Sequence, residues 1–344
     1  SEDQKVKKIA VQDAVGMILC HDITKMVPGE FKGAVFKRGH IIQKEDVEEL
    51  LKLGKESIYV WEENAGEIHE DDAAIRIARA VMGGNISFSD PQEGKTVLQA
   101  TIRGFFKLKS ALMYEINSIE DITITSLPNN FKVEQGQKIA AGRIVPLVTK
   151  EKNIEKVEEL CKIHGQVFQV YPYKNLKVGV VITGNEVYKG RIKDKFWPVI
   201  KKKLEYYKAE ILGQEYCPDE VEIIRERILA FKEKGAEMII ITGGMSIDPD
   251  DLTPGAIRST GAEIVTYGVP VQPGNMFMLA YLDEVPILGV PGAAAYFKTT
   301  VFDVVLPRIF SGEKLNKNDF IRMGEGGLCN NCQMCQYPNC YFCR

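Results

Sequence analysis

Glycines, hydroxyls and carboxylates in short loops, and a run of cysteines, are the residues whose types and spacing do chemistry in this chain. In Ile241-Thr242-Gly243-Gly244-Met245-Ser246-Ile247-Asp248-Pro249-Asp250-Asp251-Leu252-Thr253-Pro254 an apolar run stops at two glycines and then turns acidic. Glycine lets backbone approach a ligand, and N–H groups freed at such a turn meet anions. Two more apolar runs end alike, at Thr183-Gly184-Asn185-Glu186 and at Val290-Pro291-Gly292-Ala293. Brought together, the three loops would offer glycine backbone and the hydroxyls of Thr183, Thr242 and Ser246 to a phosphate. Glu186, Asp219, Asp250 and Asp251 would supply carboxylates to a metal or to polar ring edges. The structural alternative is a tight strand-to-helix turn, with the acidic residues, Asp219 above all, as helix N-caps.

Cys329, Cys332, Cys335, Cys340 and Cys343 form C-x2-C-x2-C-x4-C-x2-C, with Pro338 and Asn339 turning the chain before the last pair. Four thiolates suit tetrahedral zinc or an iron–sulfur cluster. Paired C-x2-C knuckles favour zinc on Cys329, Cys332, Cys340 and Cys343, leaving Cys335 spare; a flexible, oxidisable tail without metal is the third reading. Cys161 and His164, one helical turn apart, read as core and cap-region residues.

The elements that must position these residues are legible as periodicity. Val178 to Ile182, Met238 to Ile241 and Pro286 to Val290 are apolar and β-branched, too short for helices, and read as strands buried on both faces. Ala262 to Tyr267 and Met276 to Leu282 read as further strands. Phe196, Val199, Ile200, Leu204 and Tyr207 recur at helical spacing, as do Val221, Ile224, Ile228 and Phe231; Leu252 to Thr260 and Ala293 to about Phe310 complete the helices. Strand and helix in alternation predict a parallel sheet covered on both faces, whose right-handed crossovers gather the three loops along one edge. Before this, Ile9 to Trp61 reads as a small α+β unit with a helix at Glu45 to Leu53. A connecting helix with Ile75, Ala78 and Met82 on one face follows, then a mostly β stretch from Ser87 to Val148 and a helix capped by Asn153. The expected domains are 1–62, 63–172, 173–312 and a cysteine-rich tail, 313–344.

At 344 residues the chain exceeds one ordinary core, and its 45% hydrophobic and 26% charged content is that of a globular protein. The formal net charge of -3 gives no global pull toward nucleic acid, so Lys201-Lys202-Lys203 reads as a solvated helix face. No apolar run spans a bilayer and Ser1-Glu2-Asp3-Gln4 has no signal-peptide pattern, so the expectation is a cytoplasmic protein without membrane or nucleic-acid partners.

Thr183-Gly184-Asn185-Glu186, Gly243-Gly244-Met245-Ser246 with Asp251, Val271-Gln272-Pro273-Gly274 and Gly289-Val290-Pro291-Gly292 occur in one order and spacing. In this the stretch from about Leu176 to Phe310 resembles the molybdopterin-binding domain of molybdenum-cofactor biosynthesis proteins, and among them the molybdopterin molybdotransferases. Lys37 to Trp61 also looks like the segment preceding that domain. The resemblance implies a three-layer α/β/α domain with molybdopterin or its adenylylated form as ligand, molybdate as co-substrate, Mg2+ as cation and self-association into a homo-oligomer. It implies that Glu186 and Asp251 fall on acidic positions tied to metal or pterin handling and Asp219, less closely, on another acidic position, and these three are the expected catalytic residues. Thr183, Gly184, Thr242, Gly243, Gly244, Ser246, Asp250, Pro273, Gly274, Pro291 and Gly292 fall to the cofactor. Non-catalytic carriage of the pterin and the processing of a nucleotide remain as alternatives. The chain departs from the family at Ala293 and Ala294, where Asn-Pro is usual, at Gln272, where lysine is usual, and at Phe196, where asparagine is usual. The Ser-x-Met-Asp-Gly segment of the transferases' N-terminal half is not found.

Overall fold

The computed structural model describes residues 6–27, 31–61, 66–246 and 252–344. It forms two compact units, residues 1–102, 106–127 and 133–170 in one and residues 103–105, 128–132 and 171–344 in the other. Among the described residues no helix is long and apolar enough to cross a membrane.

In the first unit, strands Val6–Ala10 and Ser57–Trp61 pair antiparallel, and helix Asp46–Lys52 closes a core of Val11, Leu19, Ile42, Leu50 and Ile58. A four-stranded sheet follows, against which helix Glu70–Val81 lies. That helix is not a mere connector. Its alanines Ala73, Ala74 and Ala78 are buried with Ile77 and Val81, and a Cβ at Gly142 of the sheet would stand 3.2 Å from Ile77. Small residues allow this close approach, which turns the buried face away from Ile75 and Met82. Asn153 is no cap either: helix Glu151–His164 starts before it, and its buried amide donates to the Glu120 carbonyl and the Thr149 hydroxyl. The β stretch also contains a helix, Ser110–Asn117.

The second unit is built on six strands, β1 (Lys177–Thr183), β2 (Glu210–Cys217), β3 (Met238–Thr242), β4 (Glu263–Tyr267), β5 (Met278–Leu282) and β6 (Val285–Val290). Their order across the sheet is β2-β1-β3-β6-β5-β4. The apolar runs become central strands because they alone can be buried on both faces. Val178, Val180, Ile182, Ile240 and Leu288 face one layer, which includes Ile200 and Leu204 of helix α1 (Phe196–Tyr206) and Phe302 and Val305 of helix α2 (Val301–Phe310). Val181, Ile239, Ile241 and Ile287 face the other, with Ile224, Ile228 and Phe231 of a third helix, Val221–Glu233. A Cβ at Gly179 would overlap the Phe231 ring, so this glycine sets how closely helix and sheet approach.

Two expectations are corrected. β2, β1, β3 and β6 are parallel, but β5 runs antiparallel to both of its neighbours, β6 and β4. β5 and β6 are joined by Asp283-Glu284, with Asp283 at φ +55°, and a connection that short makes a hairpin and no crossover. The helix expected from Ala293 divides into a 3-10 turn, Gly292–Ala295, and α2, which begins at Val301. There Thr300 and Asp303 form a reciprocal capping box, which fixes the new start. Beyond α2, Arg308 is 5% exposed and holds Glu313 through two nitrogens, at 2.9 and 2.6 Å, and Asp319 at 2.7 Å.

Candidate functional site

The parallel register places the three glycine loops side by side. Ile182 pairs with Thr242 and Thr242 with Val290, so Thr183, Gly243 and Pro291 leave the sheet at the ends of adjacent strands. β5 begins opposite the end of β6, with Met278 facing Gly289, and the Val271-Gln272-Pro273-Gly274 loop before it lies at the same end of the sheet. Freed backbone groups gather where parallel strands stop, and ligands of such sheets bind there.

Gly243 has φ +96°, and a Cβ on it would overlap the Thr183 carbonyl. Gly244, at φ +53°, would bring a Cβ to 3.0 Å from the Thr253 hydroxyl. Thr253 stitches the rim: its hydroxyl donates to the Gly243 carbonyl at 2.7 Å and lies 3.4 Å from the Thr183 hydroxyl. Thr183, Thr242 and Thr253 are all buried, and Thr242 Oγ1 has no hydrogen-bond partner. Met245 fills the back of the loop, where a Cβ at Gly289 would meet its Cε at 2.6 Å. Ser246 is exposed, and the Tyr267 hydroxyl lies 3.2 Å from both the Met245 and the Ser246 carbonyl oxygens.

Asp219 belongs to this rim and not to a helix. The N-cap of Val221–Glu233 is Glu220, without a side-chain cap bond. Asp219 Oδ2 instead accepts the Asn185 N–H at 3.0 Å, tying the end of β2 to the Thr183–Glu186 loop, and its buried Oδ1 has no partner. Glu186 is exposed on the short helix Asn185–Tyr188, away from any such anchoring. Asp250 and Asp251 lie outside the described residues, as does the rest of 247–251. Pro291 is buried and Gly292 exposed at the start of the 3-10 turn. Gly274, at φ +106°, packs on the first turn of α2, where a Cβ would meet Val301 at 3.0 Å.

A cavity of about 650 Å³ lies beside the 3-10 turn, lined by Ala294 to Lys298 and, on the α1 side, by Lys202, Lys203 and Tyr206. Lys203 pairs with Asp303, and Lys132 Nζ sits 4.3 Å from the Tyr206 ring centre. The lysine run is therefore more than a solvated face. Composition could not show this, since it depends on α1 lying against the Ala294–Lys298 segment. Thr253 was missed too, although Thr-Pro at a helix start is a signal for it.

The cysteines lie on irregular backbone that docks beside the rim. The Gln272 N–H donates to the Gly327 carbonyl and Cys329 N–H to the Gln272 carbonyl, each at 2.8 Å. Phe342 is 2% exposed in the core that also holds α2. Among the described residues no three His, Cys, Asp or Glu side chains are grouped so as to hold one metal ion, so the zinc tetrahedron expected at Cys329, Cys332, Cys340 and Cys343 is not formed. Instead Cys329, Cys332, Cys335 and Cys340 line a cavity of about 190 Å³ with Tyr296, Phe297, Tyr337, Tyr341 and Phe342. Cys343 stands outside that lining, and burial pushes its thiol up to about 12. Cys161 is buried in the first unit, which pushes its thiol up to about 11.

Residues 179–311 match a family profile described as "Probable molybdopterin binding domain", and residues 8–62 one described as a domain of unknown function. A molybdopterin molybdenumtransferase of Haemophilus influenzae is 26% identical over 150 residues, covering 42% of this chain and 37% of the relative. One of Synechococcus elongatus is 23% identical over 179 residues, covering 49% and 44%. The chain thus spans less than half the length of these relatives. A solved molybdopterin biosynthesis enzyme of Thermus thermophilus is 19% identical, covers 40% of this chain and 98% of its own, and has a TM-score of 0.32.

Proposed function

We propose, from the premise that residues 179–311 are a domain of the molybdopterin-binding family, that this chain binds molybdopterin or its adenylylated form and inserts molybdate. The observation that carries the reading is the register Ile182–Thr242–Val290, which brings Thr183, Gly243-Gly244 and Pro291-Gly292 to one edge. Backbone N–H groups of the glycine loops and the exposed Ser246 hydroxyl take the ligand's phosphate there. The cavity flanked by Lys202 and Tyr206 lies next to the same turn and offers positive charge and a ring face.

Releasing nucleotide from an adenylylated pterin breaks a phosphoanhydride, and a divalent cation, when bound, neutralises the charge that develops on the leaving oxygen. Mg2+ is held by one or two carboxylates and otherwise by phosphate oxygens and water. Asp219 fits: one carboxylate oxygen is fixed by Asn185 N–H and the other is buried and unpartnered. Asp219→Asn should raise the Mg2+ concentration for half-maximal hydrolysis of adenylylated molybdopterin by about tenfold, since one charged ligand contact is worth about 1.4 kcal/mol or more. Unchanged Mg2+ dependence removes Asp219 from the cation's shell. Wild-type protein that retains no pterin on copurification and binds none on titration overturns the whole reading.

A second reading is non-catalytic carriage, favoured by Ala293 and Ala294. Ala294 is buried and Ala293 half-buried in the 3-10 turn, so neither brings a polar side chain to the loop where the family has Asn-Pro. Tight pterin binding with no molybdate insertion above blank would select it.

A further inference from the structure

The five tail cysteines belong to no step above, yet they are the most concentrated reactive groups in the chain. A single zinc ion, with Zn–S bonds of about 2.3 Å, draws four thiolates to within about 3.8 Å of one another. The tail is not drawn together in that way. Four of its cysteines, Cys329, Cys332, Cys335 and Cys340, instead line one cavity.

We propose that these four cysteines ligate an iron–sulfur cluster of the four-iron, four-sulfide type, seated in this cavity, with Cys343 left as a structural thiol. In such a cluster each thiolate takes one iron at a separate corner of a cube, so the ligands surround a volume rather than converge on a point. Cys329, Cys332 and Cys335 have the C-x2-C-x2-C spacing of the bacterial ferredoxin run. The fourth cysteine follows after four residues instead of three, but in two-cluster ferredoxins the fourth cysteine of the run serves the other cluster, so its spacing does not constrain a single one.

The surroundings suit the group. Asn331 N–H donates to Cys329 Sγ at 3.4 Å, and the Thr299 hydroxyl is hydrogen-bonded to Cys335 Sγ at 3.1 Å. Hydrogen bonds to the sulfurs stabilise their anionic charge and tune the cluster's potential. Tyr337 and Phe342 line the same cavity with polar side chains such as Asn331 and Gln336, and Lys298 there offsets the negative charge. The zinc assignment and this one differ in a single exchange: Cys335 is a ligand here and spare there, and Cys343 the reverse.

Full-length protein purified without oxygen and supplied with ferrous iron and sulfide decides the matter. Expected are about four irons and four sulfides per chain, a broad brown absorption and a paramagnetic signal after dithionite reduction. Cys335→Ser should lose most of the iron, whereas Cys343→Ser should keep it; circular dichroism of each checks that the fold survives. Stoichiometric zinc displacing iron, loss of metal in Cys343→Ser but not in Cys335→Ser, or five freely titrating thiols with no metal each overturn the proposal. These readouts do not depend on pterin, so they stand apart from the test of the rim.

Discussion

The glycine rim and the cysteine tail adjoin one another in the second unit, but they are positioned by different means. The rim is an outcome of strand register: Thr183, Gly243 and Pro291 meet because Val178–Ile182 pairs with Met238–Thr242 and Ile239–Thr242 with Ile287–Val290, and buried side chains on both faces of the sheet hold that pairing. The tail from Glu325 onward has no helix or strand of its own. It is held by a few anchors, chiefly the backbone bonds to Gln272 and the buried ring of Phe342, and it bends through positive φ at Gly326, Asn331 and Cys343. A site built on a sheet fails only where backbone itself must fit, whereas a site built on loops fails wherever an anchor is lost.

Phe342→Ala tests this contrast most severely. Removing a ring that is 2% exposed should cost about 3–5 kcal/mol, and because Phe342 lies in the irregular segment that it anchors, the cost should fall on tail docking. Thiol labelling of Cys329 and Cys340 and hydrogen exchange across 326–344 should rise sharply, with pterin retention unchanged. Loss of pterin binding along with the tail would show that the two regions are one structure. Gly243→Ala is the converse. A Cβ at φ +96° that overlaps the Thr183 carbonyl should cost about 2–3 kcal/mol in urea midpoint analysis and abolish pterin retention, while the tail's thiol reactivity stays that of wild type. A rim that tolerates alanine would mean that Gly243 is not the point of closest approach.

The same contrast explains what could be read from the chain. Val178 to Ile182 and Met238 to Ile241 were recognisable because a strand buried on both faces leaves an unbroken apolar run, and the observed strands contain them. Alternation with helices then predicted one shared edge for three loops, which the register shows. The antiparallel end of the sheet was not foreseen, since only the two-residue Asp283-Glu284 connection betrays it. Asp219 looked like a helix cap because it precedes an amphipathic run; its bond to Asn185 N–H joins residues far apart in sequence, which periodicity cannot see. The choice between Cys335 and Cys343 was hidden for a similar reason: spacing gives the number of thiols, but the chain's path through positive-φ turns decides which of them face one cavity. The break between Ala295 and Val301 follows from a capping box, and Thr300-x-x-Asp303 was in principle visible.

The mildest test separates register from side-chain stitching within the rim itself. Thr253→Val keeps the shape of the side chain but removes the hydroxyl that donates to the Gly243 carbonyl at 2.7 Å and that faces the Thr183 hydroxyl at 3.4 Å. The Thr183 contact is buried and the Gly243 bond part-buried, so the loss should cost about 1–2 kcal/mol, as for one hydrogen bond left unmade away from bulk water. Because the strands still pair, the protein should fold and the tail should be unaffected. The Gly243-Gly244 turn, however, should open slightly and lower pterin affinity about fivefold, equivalent to about 1 kcal/mol. Titration of pterin against Thr253→Val and Thr253→Ser reads this directly, with serine restoring the hydroxyl and most of the affinity. Equal affinity in wild type and valine variant would show that the strands alone set the rim, and that the threonine pair merely fills space behind it.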